Sequence, residues 1–140
     1  MNKYTSRIMT SKYSASRNCL YNINFHIVWI TKYRKKLLTP DIQIFLKDLL
    51  IRKSKEIEII IKAIEIMTNH VHLFISTTQT FDLSKTINIL KGYSSYVLRR
   101  KYTELLKYKT LWTHSYFCES IGYINQKSVI KYINNQNKKY

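Results

Sequence analysis

The sequence predicts an α+β domain in which two strand–helix–strand halves share a single antiparallel sheet. Three observations lead there. Tyr21, Ile23, Phe25, Ile27 and Trp29 alternate with Asn22, Asn24 and His26. Two longer stretches, Pro40 to Lys55 and Asp82 to Tyr102, space their apolar residues at helical intervals. Between them an Ile-rich run turns at Thr68-Asn69 into a second apolar run. Period 2 marks strands and period 3.6 marks helices, so the two patterns separate the elements cleanly.

The alternation from Tyr21 to Trp29 gives the first strand, and Lys32-Tyr33-Arg34-Lys35-Lys36 its basic exit loop. Thr39-Pro40-Asp41 opens the first helix, which carries Ile42, Phe45, Leu46, Leu49 and Leu50 and ends near Lys55. Ile57 to Met67, with Glu58, Lys62 and Glu65 as its polar members, reads as the second strand. Thr68-Asn69 makes a tight turn into the third strand, His70 to Ser76. Asp82 to about Tyr102 forms the second helix through Leu83, Ile87, Leu90, Val97 and Leu98. Leu111 to Cys118 is expected as the fourth strand, with a turn at Gly122 and a terminal helix over Ser128 to Lys139. This order is the ferredoxin-like split βαβ (βαββαβ) arrangement with an added C-terminal helix. Residues 1–17 read as a flexible basic leader and 18–140 as one domain.

Lys and Arg number 24 against 8 Asp and Glu, a formal charge of +16 spread along the chain, and such a field favours a polyanionic partner. Twelve tyrosines suit stacking on unpaired bases. The apolar fraction of 45% supports a real core, and only 2 Gly and 1 Pro argue for long regular elements. Cys19 and Cys118 form no C-x-x-C unit, which leaves out a zinc ribbon or dithiol redox motif. No apolar stretch is long enough for a membrane span, and cytoplasmic residence is the expectation.

His70-Val71-His72 carries the chemistry. Alternate residues of a strand emerge on one face, so the two imidazoles stand ~6.6 Å apart at Cα and can chelate one metal ion. In the terminal helix Tyr132 and Gln136 are four residues apart and share a face. A divalent ion held by His70, His72 and Gln136 would polarise a phosphate oxygen, and Tyr132 would be the nucleophile. Taken alone, His-x-His is a weak motif, and Tyr132 equally fits a helix position packed beside Val129 and Ile133. Tyr140 also lies near the end but lacks a partnered Gln. His26 and His114 read as structural, Glu119 as the partner of a Lys or Arg, and Trp112, Tyr116 and Phe117 as sheet core. Lys32, Tyr33, Arg34 and Lys35 in the first loop, and Lys91, Arg99 and Arg100 on the second helix, are the candidate DNA contacts.

These motifs, in this order, resemble the HUH-superfamily single-tyrosine transposases of the TnpA type. The resemblance rests on Tyr21 to Arg34, the Asn69-His70-Val71-His72-Leu73 block, Lys91-Gly92-Tyr93-Ser94-Ser95, and Trp112 with Tyr116 to Gly122. Val129 to Gln136 completes it. It implies that His70, His72 and Gln136 bind Mg²⁺ or Mn²⁺ and that Tyr132 is the nucleophile. It further implies cleavage of single-stranded DNA at the ends of a small prokaryotic insertion sequence, with a 5′-phosphotyrosine and a free 3′-hydroxyl. Hairpin recognition and a homodimer, with one subunit's tyrosine helix completing its partner's site, are implied as well. Asn69 stands where relatives often carry Asp. Set against this are a non-catalytic single-stranded DNA- or RNA-binding module on the same scaffold, and a related initiator or relaxase nuclease.

Overall fold

A computed structural model describes residues 14–15, 20–122 and 130–135. Two short strands, β1 (Ser14–Ala15) and β2 (Leu20–Tyr21), pair with each other, and the rest of residues 1–17, expected as a leader, lies outside the described residues. The main sheet contains β3 (Ile23–Ile30), β4 (Ile60–Ile66), β5 (His70–Thr77) and β6 (Phe117–Ser120). Their order is β4-β5-β3-β6 and every pairing is antiparallel, the expected split βαβ arrangement.

Helices α1 (Pro40–Glu56) and α2 (Leu83–Lys101) pack against each other over one face of the sheet. Pro40 occupies the first turn of α1, where its missing N–H costs nothing, and the Asp82 carboxylate caps α2 by accepting from the Lys85 amide. The core between sheet and helices takes Ile27 and Trp29 from β3, Val71, Leu73 and Ile75 from β5, Leu46 and Leu50 from α1, and Ile87, Leu90 and Leu98 from α2. Trp29 meets Trp112 edge-on at 6.0 Å.

Strand alternation then dictates what lines the opposite face: His70, His72 and Phe74 from β5, with Asn24 and His26 from β3. A third helix, α3 (residues 130–135), lies there. Its Ile133 is fully buried against Phe74 and Ala63, with Ile121 and Ile130 beside them. The expected terminal helix over Ser128 to Lys139 is therefore seen through residue 135, and its remainder lies outside the described residues, as does Cys19.

Two strands differ from expectation. β4 begins at Ile60, not Ile57, because Ile57 caps α1 and Glu58 takes a left-handed conformation (φ 61°) that turns the chain into the strand. The fourth strand starts at Phe117, not Leu111. Trp112 makes only a single bridge to Thr31, and its indole N–H donates to the Ser94 hydroxyl at 3.0 Å, so it joins the core through α2. Phe117, expected in the core, is half exposed on the histidine face, since its pairing with Val28 points it away from α1 and α2. Among the described residues no helix is long and apolar enough to cross a membrane.

Candidate active site

The tight connection between β4 and β5 fixes where the histidines stand. The Met67 amide donates to the His70 carbonyl at 2.9 Å, closing the turn, and His70 pairs with Ile30, the last residue of β3. The basic loop after β3 is tied to the same turn: the Thr31 and Leu38 amides donate to the Asn69 and Thr68 carbonyls, each at 2.9 Å. The His pair and the Lys32–Arg34 turn thus share one end of the sheet.

The His70 and His72 rings lie 4.8 Å apart between centroids. His70 Nδ1 stands 2.7 Å from Asn69 Oδ1, so this amide oxygen accepts from the ring and leaves Nε2 as the lone-pair nitrogen. His72 Nδ1 stands 3.3 Å from His26 Nε2, and His26 Nδ1 stands 3.3 Å from Glu119 Oε1. His26 and Glu119 were not assigned to the site from sequence; Glu119 pairs with a histidine, not with a Lys or Arg. Burial, reinforced electrostatically by the neighbouring His70 and His26 rings, pushes the His72 pKa down to about 4. Burial and the Arg34 guanidinium lower that of His70. Both rings are neutral at pH 7, the state a metal requires of an imidazole.

Tyr132 sits on the same face, its ring 6.5 Å from that of His72. Half of its surface is exposed, while the adjacent Ile133 anchors α3 to the sheet. It stands beside the histidines of its own chain, whereas the resemblance implies a helix supplied by a partner subunit. Gln136 and Tyr140 lie outside the described residues. Among the described residues no group of three or more His, Cys, Asp or Glu side chains could hold a metal ion. Two neutral imidazoles, each with Nδ1 engaged and Nε2 free of hydrogen-bond partners among those residues, still fit two positions of a coordination shell.

The DNA candidates divide. Tyr33 and Arg34 adopt left-handed backbone (φ 58° and 55°), which pushes Tyr33 outward until it is 78% exposed. Lys32, Tyr33 and Lys35 line a cavity of about 440 Å³, whose other wall is Lys107, Tyr108 and Lys109. The Lys35 ammonium lies 5.9 Å from the Tyr33 ring and 4.7 Å from that of Tyr108. Lys107-Tyr108-Lys109 was missed, although it repeats the cation–tyrosine–cation triplet of Lys32-Tyr33-Arg34. Lys91, expected at the surface, is buried: its ammonium donates to the carbonyls of Thr113, His114 and Ser115 at 2.5, 3.1 and 3.3 Å. Arg99 is half-buried and donates to the Tyr108 carbonyl at 2.8 Å, while Arg100 is exposed and lies against Tyr96.

Comparison with known proteins identifies the family. Residues 19–136 match the family described as IS200-like transposase. The ISDra2 transposase TnpA of Deinococcus radiodurans is 29% identical over 137 residues, covering 94% of this chain and 96% of that protein. The IS200 transposase of Salmonella typhimurium is 24% identical over 119 residues, covering 83% and 78%. A crystal structure from Deinococcus radiodurans, described as that of a transposase, superposes with a TM-score of 0.74 at 26% identity over 88% of this chain and 97% of the other. A REP-associated tyrosine transposase bound to a REP hairpin shares the fold, with a TM-score of 0.64 at 17% identity over 90% and 73%. With its family match spanning the sheet, both long helices and the tyrosine helix, the chain belongs to the IS200-like transposases and is a DNA-binding strand-transfer enzyme.

Proposed function

We propose that this transposase cleaves and rejoins single-stranded DNA at the hairpin ends of its element through a covalent bond to Tyr132. The observation that carries the reading is the shared face: Tyr132 is held by Ile133 beside two neutral imidazoles whose Nε2 atoms have no hydrogen-bond partner among the described residues. Tyr132 Oη attacks the scissile phosphorus and the bond from phosphorus to the 3′ oxygen breaks. The phenol's proton is lost and the leaving oxygen gains one, giving a 5′-phosphotyrosine and a free 3′-hydroxyl. One phosphodiester is exchanged for another, so no nucleotide triphosphate is needed for rejoining.

His70 and His72, completed by Gln136, would hold Mg²⁺ or Mn²⁺. Such an ion supplies Lewis-acid polarisation of a non-bridging phosphate oxygen and offsets negative charge in the transition state. Around it, Lys32, Tyr33, Arg34 and Lys35, with Lys107, Tyr108 and Lys109 across the cavity, neutralise phosphates and stack unpaired bases. The structural neighbour that holds a REP hairpin supports a hairpin as the DNA element recognised.

The test is an SDS-resistant protein–DNA adduct, formed with Mn²⁺ and single-stranded hairpin DNA from the element's ends. Tyr132→Phe abolishes it on this reading; an adduct that survives the change moves the nucleophile elsewhere. Mixing His70→Ala and Tyr132→Phe subunits restores no cleavage if each site is completed by its own chain. Recovery in the mixture would instead establish a dimer that exchanges α3.

A further inference from the structure

Strand transfer through Tyr132 leaves unused a buried imidazole and a carboxylate that stand in line behind His72. His26 is 9% exposed and His72 8%, and Phe117 closes over His26 edge-on at 6.1 Å. The residues come from three neighbouring strands: Glu119 of β6 pairs directly with His26 of β3, and His26 is diagonal to His72 of β5. The His26 and His72 rings are 18° from coplanar with centroids 5.5 Å apart. That separation is close to the 3.3 Å nitrogen gap plus the two ring radii, so the rings meet edge to edge through those nitrogens.

We propose that Glu119 and His26 are positioning residues which fix the proton on His72 Nδ1 and so present His72 Nε2 as a lone pair to a divalent metal. The proton placement follows from the carboxylate. Ionised Glu119 can only accept, so His26 Nδ1 donates to it. A His26 ring that carries its single proton at Nδ1 presents a lone pair at Nε2, which accepts from His72 Nδ1–H, and the one nitrogen of His72 left without a proton is Nε2. Asn69 does the same for His70 in a single step, through an amide oxygen at 2.7 Å. The two candidate ligands are therefore oriented by different devices, one local and one reaching across the sheet. A carboxylate behind a ligating histidine is a known way to fix its tautomer and raise its basicity; here a second imidazole is interposed. The inference rests on His72 being a metal ligand.

Imidazole ¹⁵N–¹H correlation spectra of the metal-free protein read the tautomers directly, and both His26 and His72 are expected as Nδ1–H. His72 found as Nε2–H overturns the proposal, because His26 would then be the donor. Mn²⁺ titration followed by electron paramagnetic resonance gives the second readout. His26→Leu removes the acceptor and is expected to weaken Mn²⁺ binding by about 10–100-fold, the range for loss of such a partner. His26→Gln returns an acceptor oxygen and recovers part of that loss, and Glu119→Gln weakens binding less than His26→Leu. Unchanged affinity in folded His26→Leu refutes the positioning role. If His26→Leu does not fold, His26→Gln and the wild-type tautomers decide. Should Mn²⁺ fail to perturb the His72 resonances of the wild type, the metal assignment itself falls, while the tautomer spectrum still judges the proton chain separately.

Discussion

Replacing Lys91 by Met separates a structural lysine from a DNA contact. The ammonium is buried and donates to three successive carbonyls, from Thr113 to Ser115, in the segment that leads into β6. Burial lowers its pKa, so part of the gain from these bonds is spent on desolvation. Hydrogen bonds to a charged donor contribute about 1.5–3 kcal/mol each. Exposed His114 and Ser115 can turn their carbonyls to water once the lysine is gone, so the three are not additive. A net loss of about 2–3 kcal/mol is expected, which lowers Tm by roughly 8 °C for a domain of this size. Single-stranded DNA binding should keep its salt dependence. The matched control is Lys35→Met: losing the one phosphate contact proposed for it lowers the slope of log K against log salt by about 0.7 and leaves Tm in place. A Lys91→Met protein with wild-type Tm and a reduced salt slope would refute the reasoning and return Lys91 to the DNA surface.

Further outcomes follow from single contacts. Ile133→Ala, which empties a fully buried site between α3 and Phe74, should slow adduct formation while DNA affinity is unchanged; adduct formation at the wild-type rate would show that α3 needs no such anchor. Trp112→Phe loses the indole bond to Ser94 and should cost about 1–2 kcal/mol in urea unfolding. Burial, with Glu119 next to it, raises the Cys118 pKa to about 11. At pH 8 its alkylation, followed by peptide mass mapping, should be roughly a hundredfold slower than in the unfolded chain. Because the folded protein holds this proton longer, the stabilisation is complete below the ordinary thiol pKa and is lost as pH rises from there through 11.

The sheet and its helices were legible because each element's period matched its surroundings. Ile27 and Trp29 face α1 and α2, and the polar members of the same alternation face the site. What the pattern could not supply was register. His26 looks like any strand histidine until its pairing with Phe74 sets it diagonal to His72, and Glu119 acquires a partner only through its pairing with His26. Lys91 misled for a related reason. Its neighbours one turn away on the helix are Ile87, Asn88, Ser94 and Ser95, and nothing local says that an irregular segment more than twenty residues later will bring three carbonyls onto its ammonium. Tyr132 and the histidines could be named from sequence, but their approach depends on Ile133 finding Phe74 across the sheet.

Asn69 shows how a departure in sequence can keep one property of a site and change another. Its side-chain oxygen accepts from His70 Nδ1 at 2.7 Å, so the tautomer is fixed as an aspartate would fix it. Its amide nitrogen reaches the Arg34 carbonyl at 3.4 Å, a bond that an ionised aspartate could not donate, and so joins the basic loop to the histidine turn. The charge differs too. With an amide and not a carboxylate at residue 69, and with Arg34 close enough to lower the His70 pKa, this end of the sheet is more positive than an aspartate would leave it. A positive site holds a divalent ion less tightly but attracts a phosphate and a phenolate more strongly. Asn69→Asp should therefore tighten Mn²⁺ binding and weaken that of single-stranded DNA, with the tautomer of His70 unchanged. Tighter binding of both would show that charge at residue 69 is not what sets the balance.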